Sequence, residues 1–176
     1  MNTLPDYLAA GLRLASIGLN PSLRSVEAGF YFANPRNRFW PALIASGIAP
    51  ADLAPGAQAL RTLFERHGLG FTDVVKRPSA GGAALRAADF ARDAPKLRAK
   101  LEEYRPRVAW FHGKQAYEGY LRHAEGVRAR SEWGEQPDTA GCRVFVTPNP
   151  SPANAVFSLD DLVDWYRRLA RFAALQ

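Results

Sequence analysis

Four short apolar runs punctuate this chain, at residues 14–19, 70–75, 108–111 and 143–147, and stretches of helical character separate each from the next. The helical stretches fall at residues 38–46, 57–66, 89–104, 114–123 and 159–175. Strands joined through helices pair in parallel, and a parallel sheet needs both of its faces covered. The pattern therefore predicts an α/β fold, a central and mainly parallel sheet between two layers of helices. In the last helix Leu159, Leu162, Val163, Tyr166, Leu169 and Phe172 form one apolar stripe, with Ser158 at its N-cap. Pro95 places the regular start of the 89–104 helix just before itself. A chain of 176 residues without an internal repeat or a long linker reads as one domain, residues 1–176.

Ligands in open α/β sheets bind beyond the carboxyl ends of the strands. The first apolar run ends there in Gly18-Leu19-Asn20-Pro21-Ser22, and the last in Pro148-Asn149-Pro150-Ser151-Pro152. Two strands that each stop at an Asn-Pro corner read as two halves of one site. An amide such as Asn20 orients a water through hydrogen bonds but cannot take up its proton. Water handled by Asn20 therefore calls for a good leaving group and a cationic transition state, the character of glycosidic hydrolysis. The alternative is that Asn20 caps a turn. Between the corners, Gly29-Phe30-Tyr31-Phe32-Ala33-Asn34-Pro35 carries three consecutive aromatics. They suit either stacking on a nucleobase or a satellite core beneath the loop. Asn37-Arg38-Phe39-Trp40 then reads as a helix start, with Asn37 as cap and Trp40 in the core.

The formal net charge of +6 favours a polyanionic partner. Arg24, Arg36, Arg38, Lys76, Arg77, Arg86 and Arg92 fall near the two corners, where they could hold phosphates. The single cysteine, Cys142, lies in a predicted strand as a small core residue, which excludes a disulfide framework and a multi-cysteine zinc or iron–sulfur site. Without an apolar run of membrane length or a secretory start, the expected compartment is the cytoplasm. A Walker loop, a dinucleotide fingerprint, a nucleophile elbow and a metal-spaced histidine pair are all missing. His67, His112 and His123 lie far apart; His112 ends a strand beside the site, where a structural role is the leading expectation. Residues 78–84, rich in Gly and Ala, are expected to form a surface loop facing the substrate.

Gly18-Leu19-Asn20-Pro21, the 29–35 aromatic loop, Asn37-Arg38-Phe39-Trp40, Gly113-Lys114-Gln115-Ala116-Tyr117, Trp133-Gly134 and Asn149-Pro150-Ser151 follow one another in that order. Together they resemble the mismatch-specific uracil-DNA glycosylase and thymine-DNA glycosylase family, from about residue 13 to residue 172. The resemblance implies a three-layer α/β/α sandwich and no metal or organic cofactor; nothing in the sequence suggests more than a monomer. The resemblance also implies an enzyme that flips uracil out of double-stranded DNA, preferably from a mispair with guanine, and hydrolyses its N-glycosidic bond. Asn20 would position the attacking water, and Leu19, Phe32 and Ser25 would hold the uracil. Asn149, Ser151, Pro152, Asn154 and Arg77 would contact the DNA.

Three departures from the family pattern carry expectations of their own. Where relatives commonly supply a bulky apolar wedge and an arginine, this chain has Pro152-Ala153-Asn154-Ala155-Val156-Phe157, one residue longer, and Asn154 is the local candidate for a polar contact. A looser dependence on the opposite base follows, with activity expected to extend to uracil opposite adenine or in single-stranded DNA. Asp93-Ala94 replaces a Gly-Gly pair, so Asp93 is either a second catalytic group that takes the water's proton or a residue favouring a helix start. Ser22 stands where the family often has Gly. The alternatives are a single-strand-selective type of uracil-DNA glycosylase, whose second motif carries His where this chain has Asn149, and a non-catalytic DNA-binding module.

Overall fold

In the computed structural model, which describes residues 2–173, five strands form a sheet. They are β1 (Leu14–Gly18), β2 (Leu69–Asp73), β3 (Val108–His112), β4 (Gly134–Thr139) and β5 (Cys142–Thr147), in the order β2-β1-β3-β5-β4. All neighbours pair in parallel except β4, which runs antiparallel to β5. The helices are α1 (Leu23–Ala28), α2 (Phe39–Ala45), α3 (Ala57–His67), α4 (Ala87–Tyr104), α5 (Lys114–Tyr120) and α6 (Leu159–Phe172).

Successive side chains of a strand point to opposite faces, so each strand feeds two cores. On β3, Val108 and Trp110 join Phe39 and Leu43 of α2, Leu60 and Leu63 of α3, and Tyr166 and Leu169 of α6. Ala109 and Phe111, one residue out of phase, join Phe90, Leu97 and Leu101 of α4 and Tyr117 and Tyr120 of α5. The result is the α/β/α sandwich foreseen from the alternation of runs. Cys142 sits in the second core, where burial pushes its thiol up to about 11.

The chain leaves β1 for β2 on one side of the sheet and returns to β3 on the other. At such a reversal the loops diverge and open a crevice beyond the carboxyl ends of the two central strands. Asn20 follows β1 and His112 closes β3, so the topology alone brings them to the crevice.

Several elements differ from expectation. Strand β4 escaped notice because Gly134-Glu135-Gln136-Pro137-Asp138-Thr139 is polar, and Pro137 lies where the register shifts between Gln136 and Thr139. An edge strand tolerates both. Helix α1 is six residues long, capped by Ser22, whose Oγ accepts the Ser25 amide at 3.0 Å, and ended by Gly29 at φ 81°. Ser22 thus adds a helix cap at the first corner. Helix α4 begins at Ala87 and runs straight through Pro95. Pro95 cannot donate to the Ala91 carbonyl, but Phe90, Ala94, Leu97 and Leu101 bury the helix on both sides of the missing bond. Helix α5 stops at Tyr120 and a π-helical turn, Leu121–Glu125, completes the expected stretch. Residues 174 and 175 of the last expected helix lie outside the described residues.

At α6 the Ser158 Oγ accepts the Asp161 amide at 3.1 Å while Asp161 accepts the Ser158 amide at 2.8 Å, a reciprocal capping box. Ser158→Ala should lower the unfolding free energy by about 1 kcal/mol, read from urea denaturation at constant m-value.

Candidate active site

A cavity of about 150 Å³ opens at the crevice between β1 and β3. The first corner, the aromatic loop, Asp73, Ser79, His112 and the second corner all contribute to its wall. The two Asn-Pro halves therefore meet in one cavity. A neighbouring groove of about 260 Å³ shares Leu19, His112 and Asn149 with it and continues over Trp133 and Val156. A larger groove of about 490 Å³ lies apart, lined by Arg86, Phe90, Arg122 and Arg128, away from the strand ends.

Asn20 is locked in one orientation. Its Nδ2 donates to the Arg77 carbonyl at 2.9 Å and to Ser79 Oγ at 2.8 Å, and a carbonyl can only accept. Both amide hydrogens are thus used, and Oδ1 is left as an acceptor at the cavity wall with no protein donor among the described residues. An acceptor held this way orders a water but gives its proton no destination.

A carboxylate lies one strand over. Asp73 pairs with Gly18 in the β1–β2 register, lines the cavity and is 4% exposed. Burial pushes its carboxyl up to about 6, against the pull of the Lys76 ammonium, whose Nζ lies 3.4 Å from Oδ2. Oδ1 has no hydrogen-bond partner among the described residues. A Cβ at position 18 would lie 2.7 Å from that Oδ1, so only glycine lets the carboxylate stand against the corner. In the sequence Asp73 sits inside an apolar run and carries no motif. The one available signal was a carboxylate at a strand's carboxyl end.

Asp93, the carboxylate singled out from sequence, is not in the cavity wall. It lies in the interior of α4 rather than at a helix start. Its Oδ2 accepts the Lys76 amide at 2.8 Å, and Arg92 grips both oxygens at 2.9 and 3.0 Å. Burial opposes its ionisation, but the Arg92 and Lys76 bonds outweigh that and hold it below the ordinary carboxylate range. One turn earlier, Asp89 takes Arg77 in a two-pronged pair at 2.8 and 2.7 Å. The Arg77 guanidinium, expected on DNA, is therefore committed to the protein. Arg38, Lys76 and Arg92 are likewise engaged, whereas Arg24 and Arg36 are exposed and make no ion pair among the described residues.

Phe32 lies in the left-handed region at φ 58°, which costs a non-glycine residue roughly 1–2 kcal/mol. Packing holds it there. Its ring stacks on Phe39 with centroids 4.0 Å apart and planes 16° apart, and meets His112 edge-on at 5.2 Å. Ser25 is buried beneath the loop, where its Oγ accepts the Ala33 amide at 3.2 Å and bonds Ser22 at 2.9 Å. Both residues line the cavity, as does Leu19, whose carbonyl is taken by the Val75 amide at 2.9 Å. Of the three aromatics, Tyr31 is core: its hydroxyl donates to the Pro5 carbonyl and accepts from Lys76.

At the second corner Asn149 Oδ1 accepts the Ser151 amide at 2.9 Å, which leaves Nδ2 as a donor in the wall. Ser151 lines the cavity beside it, and Pro152 is exposed. Asn154 is spent internally rather than presented to a partner, donating to the Asn149 carbonyl at 2.9 Å and accepting the Val156 amide at 3.3 Å. Arg38 reaches across from the start of α2 to the carbonyls of Ser151, Asn154 and Phe157, so the loop is braced from within. At its tip Val156 stands 82% exposed.

A model of the uracil DNA glycosylase superfamily matches residues 5–170 of the chain. The fold also resembles a solution NMR structure from Methanosarcina acetivorans, a protein provisionally described as a uracil DNA glycosylase. The TM-score is 0.57 at 26% identity, over 96% of this chain and 97% of the other.

The two carboxylates should respond to substitution in opposite senses. Asp73 binds its proton more tightly when folded, at about 6 against 3.8, so wild-type stability falls as pH rises between those values. Asp73→Asn should remove that slope and match or exceed the wild type above pH 6 in urea titrations run at several pH values. Asp93→Ala strands the Lys76 amide and should lower stability by about 1–3 kcal/mol at pH 7.

Proposed function

The chain belongs to the uracil DNA glycosylase superfamily, and we propose that it excises uracil from DNA by hydrolysing the N-glycosidic bond with Asn20 and Asp73. The observation that carries this reading is the meeting, in one small cavity, of a fixed acceptor and a carboxylate ready to take a proton near pH 6. An extruded pyrimidine would enter between Phe32 and the corner, its ring against the aromatic edge. Asn149 Nδ2 would donate to a base carbonyl. Asn20 Oδ1 would hold water beneath C1′, and Asp73, once ionised, would accept the water's proton as the C1′–O bond forms. The electron pair of the broken C1′–N1 bond leaves with the base, and the product is an abasic site. A carboxylate beneath the sugar also stabilises its developing positive charge.

Extrusion costs a few kcal/mol and is cheapest for a mispaired base, which favours uracil opposite guanine. The second-corner loop presents Val156 as its one large exposed apolar group and spends Asn154 on itself, which supports a looser dependence on the opposite base. Arg24 and Arg36 are the exposed basic residues of the corner loops, suited to the phosphates of the strand.

The test is single-turnover cleavage of oligonucleotides carrying uracil opposite guanine, opposite adenine and in a single strand. Asn20→Ala and Asp73→Asn should each lower the rate by about 10²–10⁴-fold with folding intact. Below about pH 6 the wild-type rate should rise tenfold per pH unit, because only ionised Asp73 accepts a proton, and it should be flat above. Asp73→Asn should abolish the rise. Tight binding of all three oligonucleotides without any cleavage would instead make the chain a non-catalytic DNA-binding module.

A further inference from the structure

The groove of about 490 Å³ between the start of α4 and α5 takes no part in the chemistry above. Gln115, Glu118, Gly119, Arg122 and His123 recur in its wall at helical spacing, so it runs along α5 and the π-helical turn, away from the strand ends. Arg86, Arg122 and Arg128 give it three exposed guanidinium groups, and none of them makes an ion pair among the described residues. The carboxylate in the wall, Glu118, accepts the Ser131 hydroxyl at 3.2 Å. Flat rings complete the lining. Phe90 and His123 stack with centroids 5.6 Å apart and planes 22° apart. A Cβ at position 119 would collide with the Phe90 ring, so glycine admits that ring against α5. Burial and the Arg122 charge hold His123 below its ordinary range, which leaves it an uncharged ring at neutral pH.

Gln115 connects this groove to the Asn20 cavity. It lines the end nearest β3, and it also lines the groove of about 260 Å³ that shares Leu19, His112 and Asn149 with the cavity. A continuous path thus leads from the cavity to the three arginines. We propose that this path is a track for single-stranded DNA, with its phosphates on Arg86, Arg122 and Arg128 and its bases against the Phe90–His123 pair. The inference deepens the glycosylase reading, on which it rests for the cavity at the head of the track. Unpaired polynucleotides are held in this way, by positive charge along the backbone and by rings against the bases. A duplex is too stiff to follow. Its persistence length is about 150 bp, whereas the track leaves the strand-end face within roughly 10 Å, the helix rise from Gln115 to Arg122.

The experiment is fluorescence anisotropy of a labelled oligodeoxythymidylate and of a uracil-free duplex of equal length. It compares the wild type with a variant combining Arg86→Gln, Arg122→Gln and Arg128→Gln. Three lost phosphate contacts should reduce the slope of log affinity against log salt by about 2 for the single strand, and should weaken duplex binding distinctly less. His123→Ala, which removes a ring and no charge, should weaken single-strand binding at an unaltered salt slope. Equal losses on the two DNAs would reduce the groove to a general basic surface and overturn the proposal, as would an undiminished single-strand slope. Neither probe contains uracil, so binding is read apart from the chemistry. A wild type that shows the single-strand effect yet cleaves no uracil substrate would support the track while overturning the glycosylase reading.

Discussion

Asp93 Oδ2 holds the Lys76 amide at 2.8 Å and Asp89 holds the Arg77 guanidinium, so α4 fixes two residues of the loop beyond β2. The orientation of Asn20 at the first corner hangs from that clamp. The Arg77 carbonyl and the Ser79 hydroxyl receive both hydrogens of the Asn20 amide, and Ser79 is tied to the Pro21 carbonyl at 3.1 Å. A water-ordering oxygen is useful only if it points one way, and an amide turns freely unless both ends are specified. The acidic pair of α4 thus acts on the site through the backbone of a loop.

The same segment sets the electrostatics. Lys76 Nζ is shared between Asp6 at 3.0 Å, the Tyr31 hydroxyl at 3.2 Å and Asp73 at 3.4 Å. Asp6 has Lys100 and Thr72 as further partners, and these bonds keep it below its ordinary range despite burial. Asp73 has only the longest of the three contacts, so desolvation dominates and its carboxyl rises. A buried, neutral imidazole and a half-compensated carboxylate thus line one cavity.

The opposite wall is built by commitments of a different kind. Arg38 spends its guanidinium on three carbonyls of the second-corner loop, and its own amide meets the Pro150 carbonyl at 3.1 Å. The helix that carries the aromatic stack under Phe32 therefore also carries the brace of the loop facing it. Phe32, held at a backbone angle that costs energy, and the second corner are registered to each other through α2.

The alternation of apolar runs with helical stretches determined the three-layer sandwich, because parallel strands demand cover on both faces. The two Asn-Pro corners at strand ends were also legible, and the fold brings them to one cavity. Local chemistry was partly legible: Ser158 is the N-cap expected, whereas the cap position of α2 falls on Arg38 and Asn37 Oδ1 instead accepts the Phe39 amide at 2.9 Å. Polar β4 and the short α1 were not, since an edge strand buries little and a six-residue helix has no periodicity to read. Which carboxylate lines the cavity was decided only by the tertiary structure. Asp73 and Asp93 each stand beside a helix or strand end in the sequence, and both are buried. Register places Asp73 against Gly18, while the packing of α4 turns Asp93 toward the Lys76 amide and Arg92. Which charges are free and which are spent depends on partners tens of residues away, and no local pattern of residues carries that information.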